Sequence, residues 1–92
     1  MTDIFSRKLV PSSDAVDSAV GNETVILELA KGTYYGLDVV GTQIWAMIKE
    51  GIAPSDICDK LAKGYGVDRS TIEVDVRKFF SDLEAQGILI DG

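Results

Sequence analysis

The sequence contains no histidine and only one cysteine, Cys58. Without histidine the chain lacks the commonest general base, the Ser–His and Cys–His nucleophile pairs, and most zinc sites. A single cysteine cannot form an internal disulfide, and Cys58 falls in the apolar pattern of a predicted helix, where we expect a buried free thiol. These absences favour a binding protein over an enzyme.

Carboxylates alone can support catalysis, so the acidic residues need separate consideration. The candidates on predicted helices are Asp56, Asp59, Glu73, Asp75, Asp82 and Glu84. None of them has the spacing of a metal-binding loop, and most fall on predicted solvent-facing helix surfaces. We therefore expect no catalytic residue, no metal site and no cofactor.

Basic residues and long apolar runs are also scarce. Nine Lys and Arg stand against 15 Asp and Glu, for a net charge of −6. Nucleic-acid binding usually needs a basic footprint, whereas Arg7-Lys8 and Arg77-Lys78 are isolated pairs. No segment approaches the roughly 20 apolar residues of a membrane span, and the N-terminus does not resemble a signal peptide. We expect a cytoplasmic protein that binds neither nucleic acid nor membrane.

The length of 92 residues predicts one domain, and 46% hydrophobic residues are enough for one core. Residues 1–13 have no clear period. Ile4, Phe5, Leu9 and Val10 predict a short strand or packed arm, although this segment could also be flexible, and Pro11-Ser12-Ser13 ends it.

Three strands are predicted next. Residues 14–20 alternate, with Val16, Ser18 and Val20 on one face, and Gly21 begins a turn. The second strand covers residues 24–30, where Val25, Leu27 and Leu29 share a face. Lys31-Gly32 makes a tight connection to the third strand, residues 33–37. The three strands form an antiparallel meander.

Three helices follow. Asp38 is the predicted N-cap of the first, which ends at Glu50-Gly51; Pro54 opens the second, which ends near Gly64. For the third, Ser70-Thr71-Ile72-Glu73 matches a capping box, and Gly87 ends the helix. Its predicted apolar stripe consists of Ile72, Val76, Phe79 and Leu83, with Phe80 about 70° off the stripe centre. The order predicts an α+β domain with the helices against one face of a sheet.

The third predicted strand, "TYYGL", would lie at an edge of the sheet. It contains no lysine or proline of the kind that usually protects an edge, and its glycine allows another backbone to approach. An extended peptide can add to such an edge as a further strand. Alternatively, Tyr34 and Tyr35 are ordinary strand aromatics and Phe80 is partly buried core; a groove between this strand and the third helix would distinguish the two interpretations.

Four short motifs, in this order and spacing, resemble the PqqD family of peptide chaperones, also called RiPP recognition elements, which serve pathways that modify ribosomally made peptides. They are Tyr35-Gly36-Leu37-Asp38, Gly41-Thr42-Gln43-Ile44-Trp45, Asp75-Val76-Arg77-Lys78-Phe79 and Leu83-Glu84-Ala85-Gln86-Gly87-Ile88. The resemblance covers roughly residues 14–90. Asp38 stands where the family usually has asparagine, and residues 22–37 are more similar to stand-alone relatives than to the quinone-cofactor member.

The resemblance implies a winged-helix-like fold and a non-catalytic role. A precursor's leader segment would add to the third strand, beside the third helix, and be presented to a modifying enzyme. The expected peptide-binding residues are Gly32, Thr33, Tyr34, Tyr35, Gly36, Leu37, Asp75, Val76, Lys78, Phe79 and Phe80. On this interpretation, proline at Thr33 or Tyr35 removes an edge N–H and abolishes binding.

Two other interpretations stay open at this point. A winged-helix DNA-binding protein has similar elements, but its third helix would need to be basic, and this one carries more acids than bases. The protein could be a monomer, or two copies could join through the same open edge, since unpaired edges associate readily.

Overall fold

The computed structural model describes residues 4–92. After a short 3₁₀ helix at Ile4–Ser6, the strands are β1 (Leu9–Pro11), β2 (Ala15–Val20), β3 (Glu23–Glu28), β4 (Thr33–Leu37) and β5 (Leu89–Asp91). The helices are α1 (Val39–Lys49), α2 (Pro54–Tyr65) and α3 (Arg69–Ala85). The predicted meander corresponds to β2–β4, so the α+β class and the order of its main elements are confirmed.

The main sheet has the antiparallel order β2-β3-β4, which leaves β4 at one edge. Its inner face, carrying Thr24, Ile26 and Glu28 of β3, is buried, and α1 packs against β3 and β4. The face that Val25, Leu27 and Leu29 share is therefore the outer face. Because Val25, Ile26 and Leu27 are all apolar, periodicity alone cannot decide which face is buried.

Glu28 is only 3% exposed, and its buried carboxylate is fully engaged in hydrogen bonds to the backbone. Its two oxygens accept hydrogen bonds from the backbone N–H groups of Ala30 (3.3 Å) and Lys31 (2.8 Å). A buried carboxylate is tolerated when it is hydrogen-bonded in this way. The side chain thus fixes the β3–β4 connection, at which Gly32 adopts a φ of +66°.

The first two helices begin and end close to the predicted positions. Asp38 caps α1, its Oδ1 accepting from the Gly41 N–H at 2.8 Å. Pro54 lies in the first turn of α2, and the helix ends at Gly66 with a φ of +66°. Cys58 is fully buried, as predicted, and burial raises the pKa of its thiol.

The capping box predicted for α3 is wrong. The helix begins at Arg69 with Asp68 as N-cap, so Ser70 already lies inside it. The Asp68 carbonyl accepts from the Thr71 N–H at 3.1 Å, which starts the helix before the Ser-x-x-Glu pattern. The Asp68 side chain makes no capping hydrogen bond, so backbone hydrogen bonds alone start the helix at this residue.

The predicted stripe of α3 is also wrong at one residue. Its buried side chains are Ile72, Val76, Phe80 and Leu83. Phe80 is 1% exposed in the core, whereas Phe79 is only partly buried. Both phenylalanines fit a helical period with Ile72 and Val76, so the choice depends on the direction from which the core approaches.

A second, two-stranded sheet joins the two ends of the described chain. β1 pairs antiparallel with β5, placing Leu9 opposite Asp91 and Pro11 opposite Leu89. Arg7 hydrogen-bonds to Glu84 of α3 and to Asp91. The part of the predicted arm from residue 4 onward is therefore packed, while its residues 1–3 lie outside the described chain.

Candidate functional site

The side of β4 that faces away from β3 pairs with no other strand within residues 4–92. Antiparallel pairs alternate between hydrogen-bonded and non-hydrogen-bonded positions. The Leu29 N–H donates to the Asp14 carbonyl at 2.9 Å, and the β2–β3 register continues from there without a bulge. Odd-numbered residues of β3 therefore point their peptide groups at β2, and even-numbered ones, such as Ile26, point theirs at β4.

This alternation continues into β4. Ile26 lies opposite Tyr35, and Glu28 lies opposite Thr33, so Tyr35 and Thr33 use their peptide groups within the sheet. The N–H and C=O groups of Tyr34 and Gly36 consequently point to the open edge. The expectation that proline at Thr33 or Tyr35 would remove an edge donor is thus wrong, because these residues bond to β3.

A groove runs between β4 and α3, and we call it the β4–α3 groove. One part of it is a hollow of about 250 Å³, lined by Tyr35, Gly36, Leu37, Asp38, Gly41 and Phe79. A second hollow, of about 350 Å³, continues the groove between Val40 and Ile44 of α1 and Asp75 of α3. The groove exists because α3 packs on α2 and β5 and has few contacts with β4.

Gly41 and Phe79 set the depth of the groove. A Cβ on Gly41 would lie 3.2 Å from Phe79 Cε2 and 3.2 Å from Asp38 Oδ1, which is tighter than ordinary contact. A glycine here lets the Phe79 ring approach α1 closely. Phe79 also contacts Phe80 edge-on, with 6.3 Å between the ring centroids, so the core holds it in place.

The structure brings part of the predicted site together. Tyr35, Gly36, Leu37, Asp75 and Phe79 line the two hollows. Four other predicted residues are outside the lining of the two hollows. Tyr34 is 75% exposed on the open edge, Gly32 immediately precedes β4, and Thr33 begins it. Lys78 is exposed and pairs with Asp82 at 3.2 Å.

Two predicted contact residues do not reach the groove surface. Val76 and Phe80 are 0% and 1% exposed, so they support Phe79 from the core. Sequence reasoning placed neither Asp38 nor Gly41 in the site, although both belong to the motifs that carry the family resemblance. Their three-residue separation, which joins an N-cap to the helix N–H it binds, was the available signal.

Charged side chains lie beside the groove and at the β2 edge of the main sheet. The exposed Asp75 carboxylate, on α3, adds negative charge to the end of the groove next to α1. At β2, Asp17 Oδ2 accepts from Trp45 Nε1 at 2.7 Å and from Lys49 Nζ at 2.6 Å. The Lys49 ammonium and then the Trp45 N–H lower the pKa of Asp17. These bonds attach β2 to α1.

No group of side chains suited to a metal ion occurs in the part of the chain that the structure describes. Within the same residues, none of the helices has the length and apolar character needed to cross a membrane.

Comparison with known proteins identifies the class. The family model described as "Coenzyme PQQ synthesis protein D (PqqD)" matches residues 23–89, which is more than half of the chain. The chain therefore belongs to the PqqD family. No curated protein matches the sequence.

Two solved structures share the fold. One is described as "TbiB1 in Complex with the TbiA(beta) Leader Peptide" and is 40% identical to this chain. The match covers 87% of this chain and 93% of the TbiB1 chain, with a TM-score of 0.83. The other, "Lasso peptide synthetase B1 complexed with the leader peptide", is 20% identical to this chain. The match covers 90% of this chain and 98% of the synthetase chain, with a TM-score of 0.84. The second likeness concerns the fold alone.

Proposed function

We propose that this protein is a non-catalytic chaperone for the leader segment of a ribosomally made precursor peptide. The leader adds as a strand to the open edge of β4, beside α3, and is presented to a modifying enzyme in the cytoplasm. The observation that carries the proposal is the unpaired edge of β4 next to the hollow at Phe79. The leader-bound state of the 40% identical relative supports it.

The edge supplies affinity without demanding a particular sequence. Tyr34 and Gly36 each offer one N–H and one C=O, and a peptide hydrogen bond contributes about 0.5–1.5 kcal/mol net. Side chains on the inner side of the added strand enter the groove, where Phe79 and Tyr35 bury apolar surface. Together these contributions support a free energy of about −8 to −9 kcal/mol, or micromolar to high nanomolar affinity.

The test replaces one edge N–H while keeping the sheet. Tyr34→Pro removes an outward N–H and places a ring where the peptide backbone would lie. Tyr34→Ala keeps the N–H and removes only the side chain. Ala19→Pro is the matched control, because the same alternation points the Ala19 N–H to the opposite edge, at β2.

The probes are the leader of a precursor encoded beside the gene and the TbiA(beta) leader. Binding is followed by calorimetry and by NMR of ¹⁵N-labelled protein. We expect Tyr34→Pro to weaken binding by tenfold or more, since about 1.4 kcal/mol corresponds to a factor of ten. Ala19→Pro should bind normally, and the shifts should concentrate in β4 and α3. A folded Tyr34→Pro variant with unchanged affinity would refute strand addition.

The same edge of β4 is also the surface through which two copies of the protein would pair. If β4 pairs with β4 of another chain, the peptide and the second copy compete for Tyr34 and Gly36. Sedimentation at increasing concentration, with and without leader, measures this competition. A monomer at all concentrations excludes the edge-mediated dimer and leaves the peptide-binding proposal intact.

A further inference from the structure

Gly36 is a glycine that the fold of this chain does not need. Its φ is not positive, so the backbone conformation is open to any residue. A Cβ built on it meets no atom within 4 Å, so close packing does not require glycine either. Glycine inside a strand is unfavourable because it loses more backbone freedom and offers no side chain to pack. The unbound fold therefore does not explain the glycine, and we look for its role in the complex with the peptide.

The empty position lies on the outer face, directly beside the open edge. Gly36 lies opposite Val25, which lies opposite Ser18. On the same face of β4, two residues away, is Tyr34, which is 75% exposed. Residues two apart on one strand are separated by roughly 6.6 Å, so Tyr34 forms a wall of a notch with Gly36 and Val25 as its floor.

The surroundings of the notch are apolar. The outer face of the sheet carries exposed Val16 and Val20, half-buried Val25 and Leu27, and Tyr34. Side chains directly opposite one another on neighbouring strands lie on the same face, and an aromatic ring also reaches its diagonal neighbour. A ring placed opposite Gly36 would cover the bare glycine backbone and lie beside Tyr34.

We infer that Gly36 determines specificity: it leaves room on the outer face of the sheet for an aromatic side chain of the bound peptide, at the position directly opposite it. This inference rests on the proposed strand addition and extends it. The peptide is then held on both faces, by inner side chains in the β4–α3 groove and by one aromatic side chain in the notch.

The test fills the notch. Gly36→Val adds a β-branched side chain that suits a strand, and Ser18→Val is the matched control in the same cross-strand row, two strands away from the edge. The probe is a positional-scanning array of 12-residue peptides in which each position carries every amino acid in turn. Affinities of selected peptides are measured by calorimetry, and thermal stability by circular dichroism.

We expect wild type and Ser18→Val to select an aromatic residue at one position. Gly36→Val should bind that peptide roughly tenfold more weakly, since burial of an aromatic side chain is lost. It should prefer glycine or alanine at the same position and keep its preferences elsewhere. Its Tm should equal or exceed that of wild type, because the free fold does not need the glycine.

The outcomes separate the two proposals. If no peptide of the array binds wild type, strand addition itself is wrong, and the notch with it. If peptides bind but wild type and Gly36→Val select the same residues with equal affinity, strand addition stands and the notch is refuted. A clear fall in the Tm of Gly36→Val would show that the fold requires this glycine, which also overturns the inference.

Discussion

Two adjacent phenylalanines on α3 test which side of the helix packs in the core and which side lines the groove. Phe80 is 1% exposed in the core, and Phe79 is partly buried and lines the groove. Phe80→Ala removes a fully buried ring, which costs about 3–5 kcal/mol. A chain of this size has a free energy of unfolding of about 5–14 kcal/mol. The substitution should therefore lower Tm by roughly 15–30 °C.

Phe79→Ala should have the opposite profile. Part of its ring already contacts solvent, so we expect a stability loss of about 1 kcal/mol. Leader binding should nevertheless fall tenfold or more, because the hollow loses the apolar surface of the Phe79 ring. Phe80→Leu, which keeps a large apolar side chain in the core, serves as the control; it should stay folded and bind almost normally. Urea unfolding and calorimetry measure the two effects. Equal destabilisation by both alanine variants, or normal binding by Phe79→Ala, would refute this assignment.

Three further predictions concern other parts of the fold. Gly41→Ala should cost about 1–3 kcal/mol in urea unfolding and weaken leader binding, because its Cβ would lie 3.2 Å from Phe79 Cε2; unchanged binding would contradict this. Asp17 has a lowered pKa, so its stabilisation is present above about pH 4 and is lost as pH falls through the folded-state pKa. The Tm of Asp17→Asn should therefore be below wild type at pH 7 and approach it near pH 2, whereas a pH-independent gap would contradict the linkage. Arg7→Gln should speed hydrogen exchange in β1 and β5 while leaving β4 unchanged, because Arg7 bonds to Asp91 of β5 and to Glu84 of α3; uniform acceleration would show a global effect.

Elements with local signals were predictable from the sequence. The positive φ at Gly32, the cap at Asp38 and the proline at Pro54 are each set by neighbours within a few residues. For this reason the meander and the starts of α1 and α2 were predicted close to their observed positions. The start of α3 was not, because Asp68 and Ser70 are both suitable caps and only the completed structure chooses between them.

Features that depend on distant partners were not predictable in this way. The choice of Phe80 over Phe79 for the core depends on where α2 and β5 lie against α3, and adjacent aromatics carry no signal for this. The pairing of β1 with β5 joins segments about 80 residues apart, so neither three-residue strand identifies its partner. The N–H and C=O groups of Tyr34 and Gly36 point to the open edge, and predicting this requires the register of the whole sheet.

The pairing of β1 with β5 has a consequence for the order of folding. The β2–β4 meander and the helix pairs connect neighbours in the chain, and such contacts close short loops at small entropic cost. The β1–β5 contact closes a loop of about 80 residues, so it should form after the transition state. Substitutions at this contact should then speed unfolding and leave the folding rate almost unchanged. The open edge of β4, to which we propose that the peptide binds, would be assembled before β1 and β5 meet.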